Sequence, residues 1–356
     1  MHTISSKIDI KDLSRRQLGD WLAANGQQPF RTDQIFRWIY LHQTDPFDAM
    51  TNLGKPLRQE LAAAFTNPRL AVADEAASAD GSLKLLFRLH DGNHIETVLI
   101  PESGHYTLCI SSQVGCAQGC RFCMTAKGGF VRNLSAGEII SQVRDVQQRV
   151  QRRGDMPLTN IVFMGMGEPL ANLANVLQAL AVITDGDCGL KFSSRRVTVS
   201  TAGLVPKLAD LGRHTQVNLA VSLNAADDDT RSRLMPINRH YPIDQLIDAC
   251  RRYPLPPRRM ITFEYILMKG VNDRMDDARR LVKLLRPVRA KINLIPFNPH
   301  PGSDFQRPEA ERITRFQEFL AGHHYTAIVR YSKGQDIGAA CGQLRAQLRP
   351  APTVRS

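Results

Sequence analysis

The sequence lacks any long apolar run. No stretch approaches the roughly 20 apolar residues that a membrane-spanning helix needs. The opening residues, MHTISSKIDIKDLSRR, also lack the apolar segment at the centre of a signal peptide. Internal repeats and long low-complexity runs are missing as well. We therefore expect a soluble cytoplasmic protein that does not bind membranes.

Acidic residues are outnumbered by basic ones. The 356 residues include 46 Lys and Arg against 34 Asp and Glu, which gives a formal net charge of +12. Such an excess favours a polyanionic partner, with nucleic acid ahead of an anionic membrane surface. Charge alone leaves open a basic enzyme that has no such partner. The length fits two domains or one α/β barrel, and a core of that size needs no disulfides.

Cysteine is present in an odd number, seven, and three of the seven crowd into one short segment. A disulfide framework is not expected in a reducing compartment, so clustered thiols indicate metal or cofactor ligands. Cys188 and Cys250 match no motif, and we expect them to be structural.

Four regions are predicted along the chain. Residues 1–72 are polar and helical in pattern, with Ile35, Phe36, Ile39 and Tyr40 on one helix face. This helical accessory domain is expected either to contact RNA or only to pack against the rest. A linker and β-hairpin follow over 73–104, where ADEAASADGS is the linker and HDGN supplies the tight turn. The catalytic barrel spans 105–345, and a flexible tail spans 346–356.

The barrel prediction rests on alternation of strands and helices. Six Val-, Ile- and Leu-rich runs, from YTLCISSQV to KINLIPFN, are separated by amphipathic helical patterns. TAIVRYSKG adds a late strand, and Ser135 with Glu138 predicts a capping box. We therefore expect an α/β fold, a partial (β/α)6 barrel whose functional residues follow the carboxyl ends of its strands.

The segment GCAQGCRFCM carries three cysteines in a C-x3-C-x2-C pattern: Cys116, Cys120 and Cys123. Structural zinc is the alternative, but such a site is closed by four ligands, and the nearest histidine is upstream at His105. Three thiolates on a four-iron cube leave one iron open to another ligand. The spacing resembles that of radical S-adenosylmethionine (SAM) enzymes, in which SAM binds that iron and yields a 5′-deoxyadenosyl radical.

The next motif is MGMGEP, which ends at Pro169 after the second barrel strand. It fails as a dinucleotide-binding loop because Glu168 and Pro169 replace the third glycine and the helix start. It resembles the GGEP-type motif that holds the SAM amino group, although an ordinary turn remains open. Ser200, Ser222 and Asn298 also end predicted strands, which suggests a shared ligand.

Six sequence segments, occurring in this order, make the resemblance specific to one family: TLCISSQVGCAQGCRFCMTA, VFMGMGEPL, VTVSTAGL, NLAVSLNA, MPIN and NLIPFNPHPG. Together with a late cysteine in AACGQL, they resemble the radical SAM RNA methyltransferases of the RlmN/Cfr family, RlmN type. The resemblance implies methylation of adenosine C2 in 23S rRNA and extends the expectation to tRNA. It implies a [4Fe–4S] cluster and two SAM molecules per turnover. The partners would be RNA and a one-electron donor such as flavodoxin or ferredoxin, and the protein a monomer.

The resemblance also implies residue roles. Cys341 would carry the methyl group as S-methylcysteine, Glu96 would accept the C2 proton, and Cys109 would resolve the covalent protein–RNA intermediate through a transient disulfide. SAM would be bound by Gly167, Glu168, Ser200, Ser222, Leu223, Asn224 and Asn298. Asn224 departs from the pattern, because relatives commonly have histidine there.

Basic residues near predicted loops and strand ends would guide RNA to the barrel mouth: Arg121, Lys127, Arg132, Lys191, Arg195, Arg196, Arg258, Arg259, Arg330 and Lys333. The target adenine must leave its stack to reach the cluster. Two rival functions remain: methylation at C8 by the same chemistry, and a non-catalytic metal-containing RNA-binding protein.

Overall fold

The computed structural model describes residues 7–346. Its N-terminal part is helical, as predicted, and comprises α1 (Arg15–Ala24), α2 (Phe30–Phe36), a π-helical turn (Arg37–Leu41) and α3 (Lys55–Ala64). Short strands β1 (Ile8–Asp9) and β2 (Phe65–Thr66) pair in parallel and close this region. The side chains of Ile35, Phe36, Ile39 and Tyr40 are all buried, so the predicted apolar face is confirmed.

Most of the remaining chain builds one sheet. Its strands and a small hairpin are β3 (Ala71–Ala77), β4 (Leu83–Arg88), β5 (His94–Glu102), β6 (His105–Cys109), β7 (Gln113–Gly115), β8 (Phe130–Asn133), β9 (Leu158–Phe163), β10 (Val197–Thr201), β11 (Asn218–Ser222), β12 (Ile261–Leu267), β13 (Ala290–Pro296) and β14 (Ala327–Val329). The ten-stranded sheet runs β14-β13-β12-β11-β10-β9-β6-β5-β4-β3, and β7 pairs with β8 apart from it. From β6 to β14 every neighbouring pair within the sheet is parallel.

Helices connect the parallel strands and confirm the alternation predicted from the sequence. They are α4 (Met124–Lys127), α5 (Ala136–Arg153), α6 (Leu173–Ile183), α7 (Val205–His214), α8 (Asp228–Leu234), α9 (Ile243–Arg252), α10 (Met275–Leu285) and α11 (Ala310–Gly322). The predicted capping box opens α5, since Ser135 Oγ accepts from Glu138 N and a Glu138 oxygen accepts from Ser135 N. Parallel strands in this fold are covered on both sides, and β12 shows this: Phe263 and Tyr265 are fully buried on one face, and Glu264 is buried on the other.

The predicted hairpin is confirmed as β4 and β5, but the predicted linker is wrong in part. Residues Ala71–Ala77 form β3, an edge strand antiparallel to β4, and only the following residues turn. Alanines and acidic residues are poor strand formers, so the local pattern does not predict a strand. Pairing with β4 supplies what local propensity lacks. The sheet therefore continues without a break from the hairpin into the barrel.

The helical region packs on α5. Arg144 of α5 is fully buried, donates from Nε to the Ile39 carbonyl at 2.9 Å and forms an ion pair with Asp45. Asp12 accepts from the amide of Gly137 at 2.7 Å, at the first turn of the same helix. Within residues 7–346, no helix combines the length and apolarity needed to cross a bilayer. The predicted tail lies outside the described residues except for Ala346.

Candidate active site

A cavity opens at the carboxyl ends of the parallel strands. It is lined from four directions: by the cysteine segment after β7, by the ends of β9 to β12, by Ile295 of β13, and by the loop after β14. Among the predicted site residues, the cavity is lined by Cys116, Cys120, Cys123, Gly167, Glu168, Ser200, Ser222, Asn224 and Cys341. Residues far apart in sequence thus meet where parallel strands end, as the barrel prediction requires.

The three clustered cysteines lie in a loop held by the β7–β8 hairpin. Gly115 ends β7 at φ 74, and a Cβ there would lie 1.9 Å from the Gly129 carbonyl oxygen. Only glycine permits both this backbone conformation and this approach. The hairpin therefore fixes where the cysteine loop leaves and rejoins the barrel.

The thiols are set in a poorly solvated place. Burial raises the pKa of Cys116 to about 12 and raises that of Cys120 well above its usual value. Desolvated thiols held in one loop suit binding by a metal centre, which stabilises the thiolate form.

In the described chain, no three His, Cys, Asp or Glu side chains are grouped to hold one metal ion. A four-iron cube takes one thiolate per iron, and three cysteines leave one iron open to another ligand. Cys341 lines the same cavity from a separate loop. His105 contacts Ser103 and Asn160 instead.

The MGMGEP segment forms the cavity wall beside the cysteines. Gly167 has φ 100, and a Cβ there would lie 2.5 Å from the Gln113 Cβ, so the position requires glycine. The Glu168 carboxylate accepts from the amides of Leu170 at 3.0 Å and Ala202 at 2.7 Å. Burial raises the pKa of Glu168 against these hydrogen bonds. Glu168 thus ties the end of β9 to the end of β10.

The three predicted SAM-binding residues after β11 have different surroundings. Ser222 lines the cavity, whereas Leu223 is fully buried, with its amide donating to the Glu264 carbonyl at 3.0 Å. Asn224 adopts φ 58, a left-handed conformation that asparagine tolerates well. Its side-chain oxygen accepts from Ile266 N at 2.8 Å, and its nitrogen lies 3.2 Å from Met235 Sδ. Asn224 therefore braces β11 against β12.

Cys341 sits on the loop after β14. Asn298 does not line the cavity but contacts this loop, donating to Ser332 Oγ at 2.9 Å and to the Cys341 carbonyl at 3.4 Å. Residue Cys341 keeps exposed surface, yet desolvation at the cavity wall raises the pKa of its thiol to about 11. The loop therefore presents a neutral thiol toward the cysteine cluster.

Cys109 and Glu96 lie outside the cavity lining, on the adjoining sheet. Strand register pairs Cys109 with Val98, two residues from Glu96, so both side chains share one face of the sheet. Burial raises the pKa of Cys109, and the nearby Cys341 raises it further. All seven cysteines are free, so residues 7–346 contain no disulfide.

Two buried charged residues at the site were not predicted. Arg231 of α8 is fully buried and donates to the carbonyls of Leu223 at 3.1 Å and Ala202 at 2.7 Å, which joins the ends of β10 and β11. Burial lowers the pKa of Arg231 to about 10. Glu264 lines the cavity in register with Ser222 on β11 and Asn293 on β13. A single acid inside the apolar run ITFEYIL was the available sequence signal for Glu264.

Glu264 makes stability depend on pH. Burial raises its pKa from 4.5 to about 7, against a hydrogen bond from Asn293. Between these values the folded state binds more protons than the unfolded state, so stability falls as pH rises through this range. Glu264→Gln should remove the fall, so that its free energy of unfolding relative to wild type rises by at most about 3 kcal/mol from pH 5 to 7.5. Denaturant titrations at both pH values measure this, and a constant difference would contradict it.

The predicted ring of basic residues is only partly at the site. Arg195 and Arg196 precede β10, and Arg258 and Arg259 precede β12, so they lie at the amino ends of the strands, opposite the cavity. Lys191 also precedes β10. The prediction ignored strand direction, which places only carboxyl ends at the mouth. The cavity side retains Arg121, Lys127, Arg132 and Arg330, from the cysteine loop, α4, β8 and the segment after β14. Lys333 instead donates to the carbonyl of Pro101, which lies opposite Tyr106 at the amino end of β6.

The fold and the cysteine loop define a radical SAM enzyme. The sequence model of the radical SAM superfamily matches residues 110–282, and that of the ribosomal RNA large subunit methyltransferase N-terminal domain matches residues 8–66. A radical SAM methyltransferase from Sphaerobacter thermophilus has a similar structure, with a TM-score of 0.89 at 47% identity, covering 96% of this chain and 100% of that chain.

Two relatives narrow the class further. The dual-specificity RNA methyltransferase RlmN of Desulfosudis oleivorans is 57% identical over 349 residues, which covers 98% of this chain and 94% of the relative. That of Geotalea uraniireducens is 52% identical over 345 residues, covering 97% and 98%. The chain belongs to the RlmN family of radical SAM RNA methyltransferases.

Proposed function

We propose that this protein methylates C2 of adenosine in 23S rRNA and in tRNA by way of a methylated cysteine. The observation that carries the proposal is that one cavity joins Cys116, Cys120 and Cys123 to Cys341, with Glu96 and Cys109 on the adjoining face. The relatives named dual-specificity RNA methyltransferase, and the match to a large-subunit rRNA methyltransferase domain, support these substrates.

Cys116, Cys120 and Cys123 would hold a [4Fe–4S] cluster, and the strand ends beside them would hold SAM, two molecules per turnover. When bound, this pair supplies one-electron chemistry that activates the methyl group on Cys341 as a carbon radical. Adenine C2 is electron-poor and cannot displace a methyl group from SAM directly, so the reaction needs such chemistry. Gly167 lets the MGMGEP segment pack closely on Gln113 beside the cysteine loop, while Glu168 and Asn224 keep the strand ends in place.

Three residues of this chain complete the transfer. Cys341 carries the methyl carbon and bonds it to C2, which joins protein and RNA covalently. Glu96 takes the C2 proton, and the one unpaired electron that the radical brought to the adduct passes to a one-electron carrier of the flavodoxin or ferredoxin type, so that a closed-shell adduct remains. The Cys109 sulfur then attacks the Cys341 sulfur: an S–S bond forms, the S–C bond breaks, and its electron pair stays on carbon, which gains a proton and becomes the methyl group. An external dithiol reduces the disulfide for the next cycle.

The remaining partners follow from this chemistry. A one-electron donor of the flavodoxin or ferredoxin type would reduce the cluster in the cytoplasm, where thiols stay reduced. Basic residues on the cavity side, Arg121 among them, would contact RNA phosphates, so affinity should fall with salt. We propose that the enzyme acts as a monomer.

The test is mass mapping of rRNA and tRNA from cells that lack the protein. We expect 2-methyladenosine to disappear from both RNAs and to return when the wild-type chain is restored. Loss of 8-methyladenosine instead would assign the C8 reaction. Unchanged RNA, together with a colourless protein that binds zinc, would favour a non-catalytic binding protein.

A further inference from the structure

Glu96 has one charged partner in the described chain, Lys84. The Lys84 Nζ lies 2.9 Å from Glu96 Oε1, and the side chains are 16% and 2% exposed. Register places Lys84 opposite Val98 and Glu96 opposite Leu86, so the two are diagonal neighbours on the same sheet face. Removing either partner of so buried a pair would leave the other charge without compensation.

The same pair forms hydrogen bonds with both ends of the segment that carries Cys341. We name residues 338–346 the Cys341 loop. At its start, Lys84 Nζ donates to the Gly338 carbonyl at 3.3 Å. At its end, Glu96 Oε2 accepts from the amides of Arg345 at 2.7 Å and Ala346 at 3.1 Å.

The rest of the Cys341 loop is tied to the cysteine cluster by neutral bonds. Met124 N donates to the Gly342 carbonyl at 2.7 Å, and Thr125 Oγ1 donates to the Leu344 carbonyl at 2.6 Å. The loop thus lies between the cluster and the Lys84–Glu96 pair. Asn298 and the Pro299 carbonyl also bond the loop, at the Cys341 carbonyl and at Gln343, and these bonds are neutral too. Among these attachments, only the one to the pair depends on a charge that the reaction changes.

We propose that Lys84 is a positioning residue: paired with Glu96 it holds the Cys341 loop at the cluster, and proton uptake by Glu96 releases the loop toward Cys109. This rests on the proposed function, in which Glu96 is the proton acceptor and Cys109 the resolving thiol. Lys84 does not line the cavity, and it acts through Glu96 and the Gly338 carbonyl.

Proton transfer from C2 to Glu96 determines when the Cys341 loop is released. When Glu96 takes the C2 proton, the C–H bond breaks, its electron pair stays on carbon, and an O–H bond forms. The neutral carboxyl no longer attracts Lys84 as an ion, and it accepts the two loop amides less strongly than a carboxylate does. Both ends of the loop therefore loosen just before Cys109 must reach the Cys341 sulfur.

Hydrogen exchange of the resting, cluster-loaded protein tests, without RNA, whether Lys84 and Glu96 hold the Cys341 loop in place. In Lys84→Met and Glu96→Gln, amides over 338–346 should exchange at least tenfold faster than in wild type. Lys84→Arg, which keeps the cation, should restore protection. Arg88→Met is the matched control, because Arg88 lies on the same strand and face but is exposed and makes no bond to Glu96. Wild-type protection in both Lys84→Met and Glu96→Gln would overturn the proposal.

Single-turnover kinetics separates this inference from the function on which it rests. Lys84→Met should form the protein–RNA adduct about tenfold more slowly without accumulating it, because Cys341 is held in place less often. Glu96→Gln should accumulate the adduct. If Lys84→Met loosens the loop but forms adduct at the wild-type rate, the positioning role is wrong. If Glu96→Gln loosens the loop yet resolves its protein–RNA adduct at the wild-type rate, Glu96 is not the base. The conclusion that the Lys84–Glu96 pair holds the Cys341 loop would remain.

Discussion

An alanine at position 341 is expected to abolish methylation of RNA. The thiol of Cys341 is the only group proposed to carry the methyl carbon, and it lines the cavity with the three cluster cysteines. Without it no bond to C2 can form, and we expect turnover to fall by on the order of 10³-fold or more. The measurement is methyl transfer to RNA by the reconstituted variant, followed by mass spectrometry.

Two controls make this result specific. The variant should still bind its full iron content, since Cys341 lies on a separate loop from Cys116, Cys120 and Cys123. Cys250→Ala removes a different cysteine, which lies on α9 and is buried. This change should lower the free energy of unfolding by about 1 kcal/mol while methylation continues. Repeated turnovers by Cys341→Ala would refute the methylated-cysteine relay.

The sequence predicted those parts of the fold that local patterns encode. Runs such as KINLIPFN and the Ser135–Glu138 box depend on neighbours only a few residues apart, and both are confirmed. The cysteine spacing lies within one loop and needs no tertiary contact to be recognised. Because parallel strands end at one edge, Ser200, Ser222 and Glu168 could be placed together without a structure.

What could not be predicted depends on contacts between distant residues. Arg345 is 249 positions from Glu96, and no local pattern reports their hydrogen bond. The Lys84–Glu96 pair depends on the register of β4 against β5. Strand β3 depends on β4, because its own residues do not favour a strand. Arg231 gave no signal, since an arginine in a polar helical segment usually faces solvent.

The position of Cys109 leads to the second large effect. It ends β6 on the sheet face shared with Glu96, and it is buried outside the cavity lining. A thiol there is shielded from solvent. Burial raises the pKa of this thiol, so the resting protein disfavours the thiolate form of Cys109.

Cys109→Ala should therefore trap the enzyme on its RNA. Methyl loading of Cys341 and bond formation to C2 do not involve Cys109, so both should proceed. Release should fail because no second sulfur can attack the Cys341 sulfur. A denaturing gel should show a protein–RNA band that nuclease collapses to a mass-shifted protein, and Cys188→Ala, which alters another buried thiol, should show no band. If Cys109→Ala yields only free RNA and free protein after its first half-reaction has run, another group resolves the adduct and the face shared with Glu96 has a different purpose.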